Sequence, residues 1–467
     1  MIKKLLGLLI WVVAFNISAH ELKTIDEIHS AYKNNKITAQ QLTQGYIKRI
    51  NQLNPQFNAV INIEPTAVTQ AKKIDELSAQ GLWAGPLHGI PVLLKDNIET
   101  TGSLPTTAGS LALKNNITNN DAFVVKQLRN AGAIILGKTN LSEWANFRSS
   151  YSSSGWSAVG GQTHNAHDTT RNPCGSSSGS AVAIALNFAP VALGTETDGS
   201  ITCPASVNGV YGIKPSMGQV SRSGVVPLSS SQDSVGPMAH SLKDARLVLS
   251  VLQGRDTLDT STHSFQLQAL PDAKKSSLVI GALPSDKFTV ETQRLYQNQL
   301  SALQQAGHKV INIDITDDLT TLFVDEYYVL LYDFKKEINH YLVNTAAQVK
   351  VKSLSALIDF NKQNKAAEMP HFEQDILIQA NAIDLTQTDK YQKTKQRYRT
   401  LATAAITNLY KNNNVDVVIA PTTSPAWKTD LLNGDNFKGS SSSLSAIAGT
   451  THITLPVGQV SGLPVGL

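Results

Sequence analysis

The chain has 467 residues, room for a sizeable buried core, and its 40 Lys and Arg with 36 Asp and Glu make it only 16% charged, against a usual share of about 25%. With 41% hydrophobic residues, this excludes a disordered chain, a peptide and a disulfide-knotted module. A net charge of +4 and the lack of any polybasic run argue against nucleic acid as a partner.

Met1-Ile2-Lys3-Lys4 is a short basic head, residues 5–15 are apolar, and Asn16-Ile17-Ser18-Ala19-His20 follows with small residues. The apolar stretch is too short to cross a bilayer, so the order reads as a secretory signal peptide cleaved after Ala19. A buried helix or an uncleaved anchor is the alternative. The expected mature chain is then 20–467, exported to a periplasm or secreted, with no membrane span. Only Cys174 and Cys203 are present. An oxidising compartment permits one bridge between them, but two buried thiols are the favoured reading. No C-x-x-C or H-E-x-x-H occurs, so no metal centre is expected.

In chain order, Asp121 is placed to cap a helix with apolar positions Val124, Val125, Leu128 and Ala131; Gly132 ends it before the strand-like run Ala133-Ile134-Ile135-Leu136. Residues 292–306 repeat the pattern, with Gly307 before Val310-Ile311-Asn312-Ile313, and 415–420 read as a further strand stopped by Pro421. This alternation predicts an α/β sandwich around a largely parallel or mixed central sheet flanked by helices. Residues 320–412, richer in charge and helix formers, read as a helical insertion beside it.

From Arg148 to Ser234, Gly and Ser dominate and charge is scarce. The apolar run Ala181-Val182-Ala183-Ile184-Ala185-Leu186 inside this stretch argues against a flexible linker and for backbone packed close to a ligand. Three features carry possible chemistry: Lys95 ending Gly89-Ile90-Pro91-Val92-Leu93-Leu94-Lys95-Asp96, the serines of Cys174-Gly175-Ser176-Ser177-Ser178-Gly179, and Ser200 in Gly194-Thr195-Glu196-Thr197-Asp198-Gly199-Ser200. A lysine after an apolar run is a candidate base if burial neutralises it; pairing with Asp96 or snorkelling to solvent are the plainer readings. Gly175 to Gly179 matches G-x-S-x-G, but the polar stretch 163–173 supplies no strand before it, so Ser177 is not an elbow nucleophile. The loop also lacks the Gly-Lys-Ser/Thr ending of a nucleotide-binding P-loop.

Together with Gly137-Lys138-Thr139-Asn140, Gly212-Ile213-Lys214-Pro215 and Asp233-Ser234-Val235-Gly236-Pro237, these segments resemble the amidase signature family. Its members are serine hydrolases with a Ser-Ser-Lys triad whose middle serine precedes a cis peptide bond. The resemblance implies Lys95 as base, Ser176 as the cis-serine, with Ser177 as the fallback, and Ser200 as nucleophile. It implies an oxyanion hole from the backbone N–H groups of Thr197, Asp198, Gly199 and Ser200. Gly175, Ser177 and Thr202 are expected beside the substrate, and no cofactor is implied. Many relatives carry Gly-Gly-Ser-Ile-Arg where this chain has Asp198-Gly199-Ser200-Ile201-Thr202, which removes an arginine. Asp198 is expected to cap a turn, with an influence on substrate charge as the alternative. Relatives usually continue beyond Gly462-Leu463-Pro464-Val465-Gly466-Leu467, so truncation is one expectation for the C-terminus. The serine segments look most like bacterial peptide amidases. Amidases of fatty-acid or small aliphatic and aryl amides, and an exported binding protein with a dead site, are the alternatives.

Overall fold

The computed structural model describes residues 21–263 and 277–467; the expected signal segment and its cleavage point after Ala19 lie outside them. Seven strands form the central mixed sheet, in the spatial order Val60–Ile63, Ile134–Thr139, Pro91–Lys95, Val191–Glu196, Ser234–Ala239, Tyr211–Lys214 and His452–Thr454. Pro91–Lys95 lies parallel to both neighbours, and every other pairing is antiparallel. These three parallel strands are buried along their whole length, which is why they read as continuous apolar runs rather than alternating ones. Helices Ala39–Phe57, Phe123–Asn130, Ser178–Ala185 and Leu242–Leu252 contribute to one apolar cluster with these strands.

The structure moves several expected boundaries. The helix Phe123–Asn130 starts after Ala122, and Asp121 does not cap it. Its carboxylate instead accepts the Thr101 N–H at 2.7 Å and pairs with Arg129 at 2.9 Å. Gly132, at φ +88°, turns the chain into a strand that continues past Leu136 to carry Lys138 and Thr139. The later strands stay apart from the central sheet: Lys309–Asn312, Val279–Ala282 and Val417–Ile419 form a separate parallel sheet. Its outer strands are only partly covered, consistent with a small satellite layer.

Helices Leu322–Val343, Leu354–Gln363, Lys365–Glu368, Asp375–Ala382 and Thr388–Asn413 make up the helical region. Phe334, Ile338, Leu342 and Leu354 from it bury against Leu113, Trp144, Phe147 and Leu228 of the main body. No helix among the described residues is long and apolar enough to cross a membrane. At the C-terminus, Pro456–Val460 and Leu463–Gly466 form an antiparallel pair, and the Gly466 N–H donates to Ser206 Oγ at 2.9 Å.

Candidate active site

Parallel neighbours end at the same edge of a sheet, and open α/β sheets place their sites at strand carboxyl ends. Leu94 lies opposite Leu193, so Lys95 and the segment after Gly194 leave the sheet together. The short helix Ser178–Ala185 precedes the strand Val191–Glu196, and its N-terminus returns to that same edge. Three segments distant in sequence meet there.

Lys95 Nζ donates to Ser176 Oγ at 2.7 Å, to Thr195 Oγ1 at 2.8 Å and to the Thr195 carbonyl at 3.2 Å. It does not pair with Asp96, which faces Lys138 at 3.7 Å and accepts from Thr107. Snorkelling is also excluded, because Lys95 is fully buried. Loss of hydration lowers its pKa to about 7, against the opposing pull of the Asp233 and Glu196 carboxylates.

The cis peptide bond is Gly175–Ser176, so it precedes Ser176 rather than following it as the resemblance implied. A Cβ on Gly175 would stand 2.2 Å from Ser142 Oγ; only glycine fits, and the position is packed against protein. The two neighbouring hydroxyls are used differently. Ser177 Oγ donates to the Thr195 carbonyl at 2.9 Å and accepts the Thr195 N–H at 3.1 Å, which ties the helix start to the strand. Ser176 Oγ faces the lysine.

Ser200 closes a turn in which Gly199 takes φ +76°, a region that favours glycine. Its carbonyl accepts the Ser177 N–H at 3.1 Å. Ser200 is 9% exposed where Ser176 is wholly covered, and its hydroxyl makes no hydrogen bond among the described residues. Likewise, among the described residues no protein acceptor takes the backbone N–H of Thr197, Asp198, Gly199 or Ser200. The next two N–H groups are spoken for: Glu196 Oε2 accepts from Ile201 at 2.8 Å and Thr202 at 2.9 Å, and from the Thr202 hydroxyl at 3.2 Å. Thr202 is fully buried on Glu196, a structural position rather than a lining one. Asp198 likewise turns inward and accepts from the hydroxyls of Ser442 and Ser443 at the start of the helix Ser443–Ala448. Burial raises its pKa.

Cys174 and Cys203 are joined as a disulfide with Cα atoms 6.0 Å apart, which corrects the expectation of two thiols. The serine loop and the helix Thr202–Asn208 cross there, an approach that spacing along the chain does not reveal. Thr195, Asn97, Glu196 and Asp233 also belong to the site and were not singled out from sequence. Asn97 donates to Thr195 Oγ1 at 3.0 Å, and Asp233 accepts from Thr197 Oγ1 at 2.6 Å. Asn97, Trp144, Thr195, Thr197, Val226 and Asp233 line one cleft. No pattern in the sequence marked them: Thr195 lies two positions beyond the residue paired with Leu94, a register that only the sheet shows. Among the described residues no cluster of three or more His, Cys, Asp or Glu could hold a metal ion.

A family model described as Amidase matches residues 41–467. A probable amidase of Arabidopsis thaliana is 37% identical over 455 residues, covering 95% of this chain and 85% of that one. The solved structure of native peptide amidase from Stenotrophomonas maltophilia superposes with a TM-score of 0.88 at 40% identity, covering 95% of this chain and 92% of that one. A glutamyl-tRNA(Gln) amidotransferase subunit of Prochlorococcus marinus is 32% identical over 475 residues, covering 95% and 92% respectively.

Proposed function

The chain belongs to the amidase family and is an amide-hydrolysing enzyme, and from that premise we propose that it removes the C-terminal carboxamide of peptides by a Lys95–Ser176–Ser200 relay. The observation that carries the mechanism is the buried Lys95 amine, 2.7 Å from Ser176 Oγ with a pKa near 7. A neutral amine there accepts the Ser176 proton while Ser176 Oγ takes the proton of Ser200. Ser200 Oγ then bonds to the amide carbon. Charge on the former carbonyl oxygen is met by the unspent N–H groups of the 197–200 turn.

Collapse of the tetrahedral adduct breaks the C–N bond, and the relay returns the proton through Ser176 so that ammonia leaves and acyl-Ser200 remains. Water gives its proton to the same relay, attacks the acyl carbon and releases the carboxylate, restoring the Ser200 hydroxyl. Peptide carboxamides are favoured because the 40% identical structural relative is a peptide amidase. Export to an oxidising compartment is part of the proposal, supported by the basic-then-apolar N-terminus and by the Cys174–Cys203 bridge.

The test is ammonia release from amidated peptides, simple aliphatic amides, fatty-acid amides and glutamine, beside fluorophosphonate labelling. Amidated peptides should give the highest kcat/KM, and Ser200→Ala should lose both turnover and label while keeping its fold. Full activity in Ser200→Ala would refute the relay. A preference for another amide would refute the substrate alone.

A further inference from the structure

We infer that the Cys174–Cys203 disulfide is a positioning element of the reaction, restraining the Ser176 loop against the Ser200 turn so that their hydroxyls can be brought together for the proton transfer. The inference rests on the relay proposed above. The two half-cystines flank its two serines: Cys174 lies just before Gly175-Ser176, and Cys203 just after Ser200-Ile201-Thr202.

Apart from Ser176 Oγ, which reaches Thr195 indirectly through the shared Lys95 amine, the remaining ties around Cys174-Gly175-Ser176 do not reach the Ser200 side. The Cys174 N–H donates to Asn172 Oδ1 at 2.8 Å, the Cys174 carbonyl accepts from Ser178 Oγ at 2.6 Å, and the Ser176 carbonyl accepts from the Ser142 N–H at 3.1 Å. Links between the two sides fall outside that stretch. Ser177 N–H meets the Ser200 carbonyl at 3.1 Å, and Asn208 Nδ2 spans the Pro173 and Pro204 carbonyls at 3.0 and 2.8 Å. Among the described residues, the bridge is therefore the direct tie from this tripeptide to the nucleophile side.

Cys174 itself sits at φ +57°, a region costly for a residue with a Cβ and kept only where surroundings enforce it. Val207, Ala426 and Trp427 pack around the sulfurs. Cutting the S–S bond removes the restraint and leaves two thiols in van der Waals contact, so the loop can settle away from the turn without unfolding the sheet beneath. Misplacement of reacting groups by about 1 Å is enough to cost on the order of a hundredfold in rate.

The test compares the oxidised enzyme, the enzyme reduced with TCEP, and the double variant Cys174→Ala/Cys203→Ala, all well below their melting temperatures. Alkylation and mass spectrometry count thiols, so that kcat is read per reduced molecule. Reduction should lower kcat and the rate of fluorophosphonate labelling by about tenfold or more, leave KM within about twofold, and be reversed by reoxidation. The double variant should show the lowered kcat and no response to TCEP. If it does not fold, the reduced and reoxidised wild type decides. A fully reduced enzyme with unchanged kcat and only a lower melting temperature would overturn the inference, making the bridge a general staple. Ser200→Ala run in parallel separates the failures: activity there sinks the relay, whereas an inactive Ser200→Ala beside a redox-insensitive wild type sinks the positioning role alone.

Discussion

Asp96 lies 3.7 Å from Lys138 and leaves its chain neighbour Lys95 without an ion-pair partner among the described residues. Both lysines are fully buried, yet only one is neutralised by a contacting carboxylate. Lys95 is left against hydroxyls and a carbonyl, with no carboxylate in contact to hold the ammonium, so its burial favours the free amine.

The acid limb of kcat/KM should follow from this. With a pKa near 7, Lys95 is protonated and unable to accept a proton at pH 5, and activity should rise to a plateau above about pH 8. Lys95→Met should lower kcat/KM by about a thousandfold or more. The stability of that variant reports the same group. Because the folded pKa lies below the unfolded value of 10.5, the wild type carries its full burial cost below about pH 7 and is relieved of it as pH rises toward 10. The stability difference favouring Lys95→Met should therefore be largest at pH 7 and below, and shrink toward pH 10 in urea titrations.

Ser176 and Ser177 should separate cleanly. Ser176→Ala should cut kcat by about a hundredfold or more with little change in melting temperature. Ser177→Ala leaves the buried Thr195 N–H without its side-chain acceptor and the Thr195 carbonyl with Lys95 alone, and should cost about 1–3 kcal/mol of stability. Reversal of that pattern in paired kinetics and denaturation would exchange the two assignments.

The helical region is tied to the main body through Arg148, whose guanidinium lies against the rings of Trp156 and Phe372, 4.9 and 4.1 Å from their centroids, and pairs with Glu143 at 2.8 Å. Arg148→Met should destabilise the protein by about 1–3 kcal/mol, because it removes the donor of the buried Glu143 carboxyl and of the Glu368 and Phe372 carbonyls. Burial foremost, opposed by Arg148 and reinforced by Glu368, pushes Glu143 up to about 8. A raised folded pKa contributes stability below the unfolded value of 4.5 that is lost as pH rises to about 8. Glu143→Gln should remove this pH dependence across that window, measured as the difference from wild type.

Asp198 offers a test of structure against specificity. Its carboxylate is spent on Ser442 and Ser443. Asp198→Ala should lower stability by about 1–3 kcal/mol while leaving the ratio of kcat/KM for acidic and basic amidated peptides unchanged. A shift in that ratio beyond about tenfold would place the carboxylate in substrate recognition.

Order along the chain was enough to read the α/β class, the apolar run ending at Lys95 and the hydroxyl-bearing segments around Ser176 and Ser200, because apolar runs, glycines and small residues act locally on the backbone. Sequence could not decide the partners of those residues. Whether Lys95 turns to Asp96 or to Ser176, whether Ser176 or Ser177 meets it, and whether two cysteines touch all depend on which strands become parallel neighbours and where a helix start is laid against them. These are contacts between segments 29 to 100 positions apart, Cys174 to Cys203 and Lys95 to Thr195 among them, and no local pattern records such a meeting. The apolar segments and the candidate chemistry were written in the linear order, though not every boundary; their convergence on one edge of the sheet was decided by the packing that buries its apolar faces.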